Sequence, residues 1–346
     1  MKKQLSILMI LIFVLGALLI GCSSDSTEEN PNNSASTEAE SNEKVELKLG
    51  HVVSTNSHYH VFATKLKELV DEKSNGSISI DIFPQGQLGG EVAMFQATQE
   101  GTLDILVLGQ SALTNTIKEL AIFDMPYIFD SIDQANEILS GEIGKKYLDN
   151  MSNYDVVGLS YLSTIDRNVF AKKPVKTPSD LKGLKLRDSQ VNSYLKTFEF
   201  LGAQPVPMSY NDVYMAIQQG VVDGASCAPD NFIDDKFVEV ADYFNLTKMF
   251  YLPVVSIASE KTWDKLTQEQ KDIIMESVDE ATLEAIDFYR GVYDKALSEA
   301  EDKGVTVINT DISEFKKAVE PIYPKLLKEI PNGQQLFDEI QEAKSK

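Results

Sequence analysis

Residues 180–231 read DLKGLKLRDSQVNSYLKTFEFLGAQPVPMSYNDVYMAIQQGVVDGASCAPDN, and the reading of this stretch governs the rest of the chain. A short apolar run, Leu184 and Leu186, delivers one arginine, Arg187, at its end. A strand–helix rhythm follows and closes on Val221-Val222-Asp223-Gly224. In an open α/β sheet, strand ends face the crevice where ligands bind. A guanidinium is always charged and meets a carboxylate with two parallel hydrogen bonds. Arg187 therefore reads as an anchor for a carboxylate.

The same rhythm extends in both directions. Residues 45–52 alternate apolar and polar side chains, as a strand does, and Ile78, Ile80 and Ile82 do the same. Phe62, Leu66, Leu69 and Val70 are spaced for one face of a helix that Gly76 stops. Residues 91–100 read as a helix, and 103–108 (LDILVL) as a strand buried on both faces. A helix over 133–139, a strand over 156–162, a strand over 252–258 and a long amphipathic stretch over 261–302 follow. Thr267 and Gln270 have capping-box spacing within that stretch. Strands alternating with helices imply βαβ units around largely parallel sheets. Periodicity alone sets one boundary, near residue 165.

The ends and the composition narrow the class. Lys2 and Lys3 precede an apolar run over 5–20, then Gly21 and Cys22. This is a secretory leader over 1–21, too short for the roughly 20 apolar residues of a spanning helix. Residues 22–43 read as a tether: after Cys22 they are Ser, Thr, Asn, Glu and Asp with one Pro and two Ala, a composition that cannot bury enough surface to fold. About 300 residues remain, enough for two domains of ordinary size. Once Cys22 is set aside, Cys227 is the one cysteine left, so no disulfide forms within the mature chain. The net charge of −21 argues against nucleic acid and against an anionic membrane face as partners. It makes a buried cationic site more notable. There is no G-x-S-x-G, P-loop or cysteine–histidine signature of an enzyme.

The 180–231 stretch resembles the substrate-binding proteins of tripartite ATP-independent periplasmic (TRAP) transporters, the C4-dicarboxylate-binding type. It carries LKG-x-K-x-R, GA-x-P-x-PM and VY-x-A-x-Q-x-G-x-VDG. IFPQGQLGG (82–90), GTLD (101–104) and DMPYIF (124–129) extend the resemblance over nearly the whole mature chain. It implies a two-lobed, periplasmic-binding-protein-like α/β fold, with a mainly parallel sheet in each lobe, hinge strands and a long lobe-spanning helix. The lobes implied are discontinuous: 45–164 plus 253–292, and 165–252 plus 293–346. Leu19-Ile20-Gly21-Cys22 is similar to a bacterial lipobox, which implies cleavage before Cys22 and acylation of its sulfur, palmitate included. A tether after a lipidated cysteine suits the outer face of a Gram-positive cell membrane.

Site residues follow from the resemblance. Arg187 would make the bidentate bond to the ligand carboxylate; the structural alternative pairs it with Asp180 or Asp188. Arg167, in STIDRNVFAKKP (163–174), matches a second arginine near the ligand; the alternative is a surface salt bridge with Asp166. Tyr210 matches an aromatic packed over the ligand's carbon chain. Val52 lines the pocket from the other lobe, and Gln110 reaches the cleft. Cys227 departs from the pattern, because the family places an asparagine there. Cysteine is a poor hydrogen-bond partner, so Ser226 or the backbone would compensate. His51, His58 and His60 invite a metal reading, but histidines at a helix start are expected without one. No metal and no cofactor are predicted.

The function implied is non-enzymatic. An extracytoplasmic receptor, held to the membrane only by its lipid, would close two lobes on a small organic anion and deliver it to TRAP membrane subunits. The alternatives are a sensor subunit of the same fold and a metal-binding surface lipoprotein.

Overall fold

The computed structural model describes residues 44–345. The expected leader, Cys22 and the tether lie outside the described residues. Among the described residues, no helix is long and apolar enough to cross a membrane.

The chain begins with β1 (Val45–Gly50), α1 (His58–Lys73), β2 (Ile78–Phe83), α2 (Glu91–Glu100), β3 (Ile105–Gly109), α3 (Ile132–Ser140), α4 (Glu142–Asn150) and β4 (Val156–Tyr161). It continues through β5 (Ile165–Ala171), β6 (Lys185–Asp188), α5 (Asn192–Phe200), β7 (Gln204–Pro207), α6 (Val213–Gln218), β8 (Gly224–Cys227), α7 (Pro229–Asp234) and β9 (Tyr243–Leu252). It ends with β10 (Val254–Ser259), α8 (Glu260–Trp263), α9 (Gln268–Asp302), β11 (Thr306–Ile308), α10 (Ile312–Val319), α11 (Tyr323–Leu327) and α12 (Gly333–Lys344).

Two sheets result, ordered β2-β1-β3-β10-β4 and β11-β9-β5-β8-β6-β7. Each is mixed rather than mainly parallel. The β1–β2, β1–β3, β6–β7 and β6–β8 pairs are parallel, as short βαβ units require. The β10–β3, β10–β4, β5–β8 and β5–β9 pairs are antiparallel. The antiparallel strands are those that enter from the opposite lobe. The chain passes from β4 in the first sheet to β5 in the second through residues 162–164, and returns from β9 to β10 through Pro253. Proline lacks an N–H for the ladder, so β10 starts after it instead of at residue 252.

The helix α9 makes the third crossing. Thr267 caps it, its hydroxyl accepting from the Gln270 N–H while the Gln270 side chain accepts from the Thr267 N–H. The capping box therefore starts the long helix, and α8 precedes it as a separate turn. Lys65 and Lys73 of α1 pair with Glu284, Glu276 and Glu280 along its first half. Further on, the Tyr293 hydroxyl donates to Asp166 of β5 at 2.6 Å, and Ala300 joins the core of the second lobe. The tail touches both lobes. β11 pairs with β9, whereas Lys146–Glu339 and Lys344–Asp130 fasten α12 to the first lobe.

Candidate functional site

Two hollows open between the lobes, with Tyr210 in the wall of both. One, of about 310 Å³, is bounded by the start of α2, the end of β6 and the segment 208–210. The other, of about 280 Å³, lies between Val52 on one side and Asp234 and Asp235 on the other. Volumes of this order suit small molecules.

Arg187 occupies the last turn of β6 before Asp188 and is 2% exposed. Its Nε and Nη2 donate to the Met208 carbonyl at 3.2 and 2.8 Å. Its Nη1 is buried without a hydrogen-bond partner. The guanidinium lies 5.6 Å from the centre of the Tyr210 ring. Burial, and after it the neighbouring Arg167, pulls its pKa down to about 10, with Asp188 opposing; it remains cationic at neutral pH. A buried cation with an unused donor is costly unless something completes it.

Arg167, on β5, is 5% exposed and is held by protein groups through Nε and Nη2. Its Nη2 donates to Asp188 Oδ1 at 2.8 Å and to the Ser226 hydroxyl and carbonyl at 2.8 and 3.0 Å. Its Nε reaches the Ser226 hydroxyl at 3.1 Å. The alternative pairing with Asp166 is absent, and Asp166 accepts from Tyr293 instead. Neither carboxylate weighed as a partner for Arg187 takes it: Asp180 caps the 177–180 turn and Asp188 serves Arg167. Ser226 is thereby spent on orienting Arg167 and Asp188.

The Tyr210 hydroxyl donates to Asp235 Oδ2 at 2.6 Å, which fixes its ring beneath Arg187. Asp235 follows α7, where Asp230 and Asp234 crowd it. Burial first, then these two neighbours, lift Asp235 to about 7 against the Tyr210 bond, and burial lifts Asp234 to about 6. Asp230 Oδ2 lies 3.7 Å from Nδ1 of His58, across the lobe boundary.

Other expected site residues sit elsewhere. Cys227 is a buried member of the second-lobe core beside Phe170 and Phe232, and lines neither hollow. Burial pushes its thiol pKa well up, so it is inert. Gln110 does not reach the cleft. A 3₁₀ turn directly after β3 rotates it inward, where Tyr161 donates to its oxygen and its amide donates to the Leu120 carbonyl at 3.3 Å. Val52 lines the smaller hollow. The histidines split: His51 and His60 face each other with Nε2 and Nδ1 3.0 Å apart, while His58 packs against Tyr59 and Tyr289. Burial, then His60, drives the His51 pKa down to about 3, so it is neutral. Among the described residues, no group of three or more His, Cys, Asp or Glu is arranged for a metal.

Two features escaped the sequence. Glu91, the first residue of α2, lines the larger hollow opposite Arg187, with Oε1 accepting from the Gly109 N–H at 2.9 Å. The 84–90 loop also meets the 208–211 segment closely. A Cβ on Gly86 would stand 2.1 Å from the Asn211 amide nitrogen, and one on Gly90 would stand 2.8 Å from the Ser209 hydroxyl. Gly86 also has φ +67°, where side chains are strained. The glycines of PQGQLGG thus let the lobes approach.

Residues 49–329 match the sequence profile of bacterial extracellular solute-binding protein family 7. The C4-dicarboxylate-binding protein of Bacillus subtilis is 30% identical over 81% of this chain and 82% of its own. The fold is similar to a TRAP periplasmic solute-binding protein of Anaerococcus prevotii with bound D-glucuronate (TM-score 0.84, 27% identity, 87% of this chain and 99% of that one). It is also similar to the sugar acid binding protein of Advenella mimigardefordensis in complex with galactonate (TM-score 0.84, 26% identity, 88% and 98%).

Proposed function

The chain belongs to bacterial extracellular solute-binding protein family 7, and on that premise we propose that it captures a small organic carboxylate between its lobes for uptake by a TRAP permease. The observation that carries this reading is the unused Nη1 of Arg187, buried at the edge of a 310 Å³ hollow. A carboxylate there completes the guanidinium, whose Nη1 has no hydrogen-bond partner. Arg167 acts one step back, holding Asp188 away from Arg187. Tyr210 supplies an apolar face beside the bound acid. The relatives are solute-binding proteins, and those with named ligands bind organic acids.

In this reading β5, β9 and α9 form the hinge, and the lobes are 45–164 plus 253–292 and 165–252 plus 293–346. Closure presents a combined surface to the membrane subunits, and an ion gradient drives uptake. Cys22 carries the lipid that keeps the receptor at the outer face of the cell membrane. The test is a thermal-shift screen of carboxylates against the protein and Arg187→Ala. Stabilisation by acids in the parent and its loss in the variant support the reading; stabilisation by neutral compounds alone overturns it.

A further inference from the structure

The relatives' names divide between C4-dicarboxylates and sugar acids, and the larger hollow contains a group that discriminates between them. Resting on the reading that Arg187 takes a carboxylate, we propose that Glu91 makes the site selective for polyhydroxy monocarboxylates and rejects a second carboxylate.

Among the described residues, Arg187 is the sole basic residue lining this hollow and Glu91 the sole acidic one. One Glu91 oxygen is committed to the Gly109 N–H at 2.9 Å; the side chain has no other hydrogen-bond partner among the described residues. Burial, the largest influence, leaves the Glu91 carboxyl above its ordinary range, with the Gly109 N–H, Arg187 and Arg167 opposing it in that order. The hollow therefore has one cationic end and one carboxylate with acceptor capacity to spare. An acceptor of that kind is completed by a ligand hydroxyl, because a carboxylate accepts and does not donate. Gln96, Ser189, Gln190 and Ser209 add further polar groups around the hollow, suited to several hydroxyls rather than one. A dicarboxylate anchored at Arg187 would set its second charge against Glu91 in a partly desolvated space, where like charges repel more than in water. Selectivity built on an unpaired polar group is asymmetric in this way: the wrong ligand leaves it unmet or opposed.

Isothermal titration calorimetry with paired acids isolates the charge. D-gluconate and D-glucarate differ only in oxidation of the terminal carbon, as do D-erythronate and meso-tartrate. The protein is expected to bind the monocarboxylate of each pair at least tenfold more tightly. Glu91→Gln keeps an oxygen for the Gly109 N–H, so the start of α2 stays in place, and the ratio should shrink at least tenfold. Arg187→Ala should abolish binding of both members. If Glu91→Gln weakens both equally, or the parent prefers the dicarboxylate or binds neither member of a pair, the selectivity proposal is overturned. If Arg187→Ala retains acid binding, the carboxylate reading beneath it fails instead.

Discussion

Arg167 reaches across the sheet to Asp188, 21 residues later in sequence and 2.8 Å away, and so leaves the adjacent Arg187 without an acidic partner. Two arginines and Asp188 share a buried space, with Glu91 and Asp124 close enough to act on them electrostatically. The closed pair consumes the Asp188 charge, and Arg187 keeps an open Nη1. On the proposed reading, that open Nη1 is where a ligand carboxylate docks.

Arg187→Ala should weaken acid binding by about 2–5 kcal/mol, the scale for truncating one side of a buried hydrogen-bonded ion pair. Arg187→Lys retains the charge but not the planar fork, so it should recover only part of that loss. Calorimetric Kd values for the three proteins check this order.

The Arg167–Asp188 pair predicts a stability effect separate from binding. Removing one member leaves the other charged and buried, and Arg167→Ala should cost about 3–5 kcal/mol in denaturant unfolding. Replacing both residues with apolar ones of similar volume should cost less than the single change. A double change that costs the sum of both singles would contradict the pairing.

Gly90→Ala tests lobe approach. Gly90 has φ −77°, which alanine adopts freely, so the lobe itself should not be strained. The added Cβ meets the Ser209 hydroxyl in the closed arrangement. Ligand affinity should fall several-fold with little change in Tm. Ser209→Ala in the same chain should restore closure, and the double-mutant cycle should show coupling between the two sites.

Asp235 sets a pH dependence. Its folded pKa of about 7 exceeds the ordinary aspartate value of 3.8, so between these values the folded form binds more protons than the unfolded form. Its contribution is greatest below pH 3.8 and is lost as pH rises through 7. Asp235→Asn removes this titration while keeping an oxygen for the Tyr210 hydroxyl. The Tm of the variant should therefore gain on that of the parent progressively from pH 4 to pH 7. A constant difference across that range would show that Asp235 does not titrate there.

The strands and helices outside the cleft were legible because burial there follows simple periods. Glu91–Glu100 and the Thr267 cap appear where the pattern places them. β5 and β9 were not legible. β5 is buried along its whole length yet contains Asp166, Arg167 and Asn168, which look like loop residues until their partners Tyr293, Asp188 and Lys248 are seen. Arg187 could be found from its strand-end position, but its open valence depends on Asp188 turning to Arg167, which sequence spacing does not encode. Gln110 misled because a single 3₁₀ turn reverses the direction of a side chain one residue past a strand end. Glu91 was visible only as a helix residue; its role arises from what stands opposite it after folding.

Gly291 lies within α9, between Glu284, which contacts α1, and Tyr293, which contacts β5, and a side chain there would meet nothing within 4 Å. An α-helix of 35 residues is about 52 Å long, and both lobes grip it. Two short peptide crossings alone would allow the lobes to swing in many directions. A rod clamped at both ends permits few of those movements, and its softest point is the residue without a Cβ. On the proposed reading, Gly291→Ala, which nothing within 4 Å opposes, should stiffen that rod and slow ligand release, a change that stopped-flow dissociation rates would show.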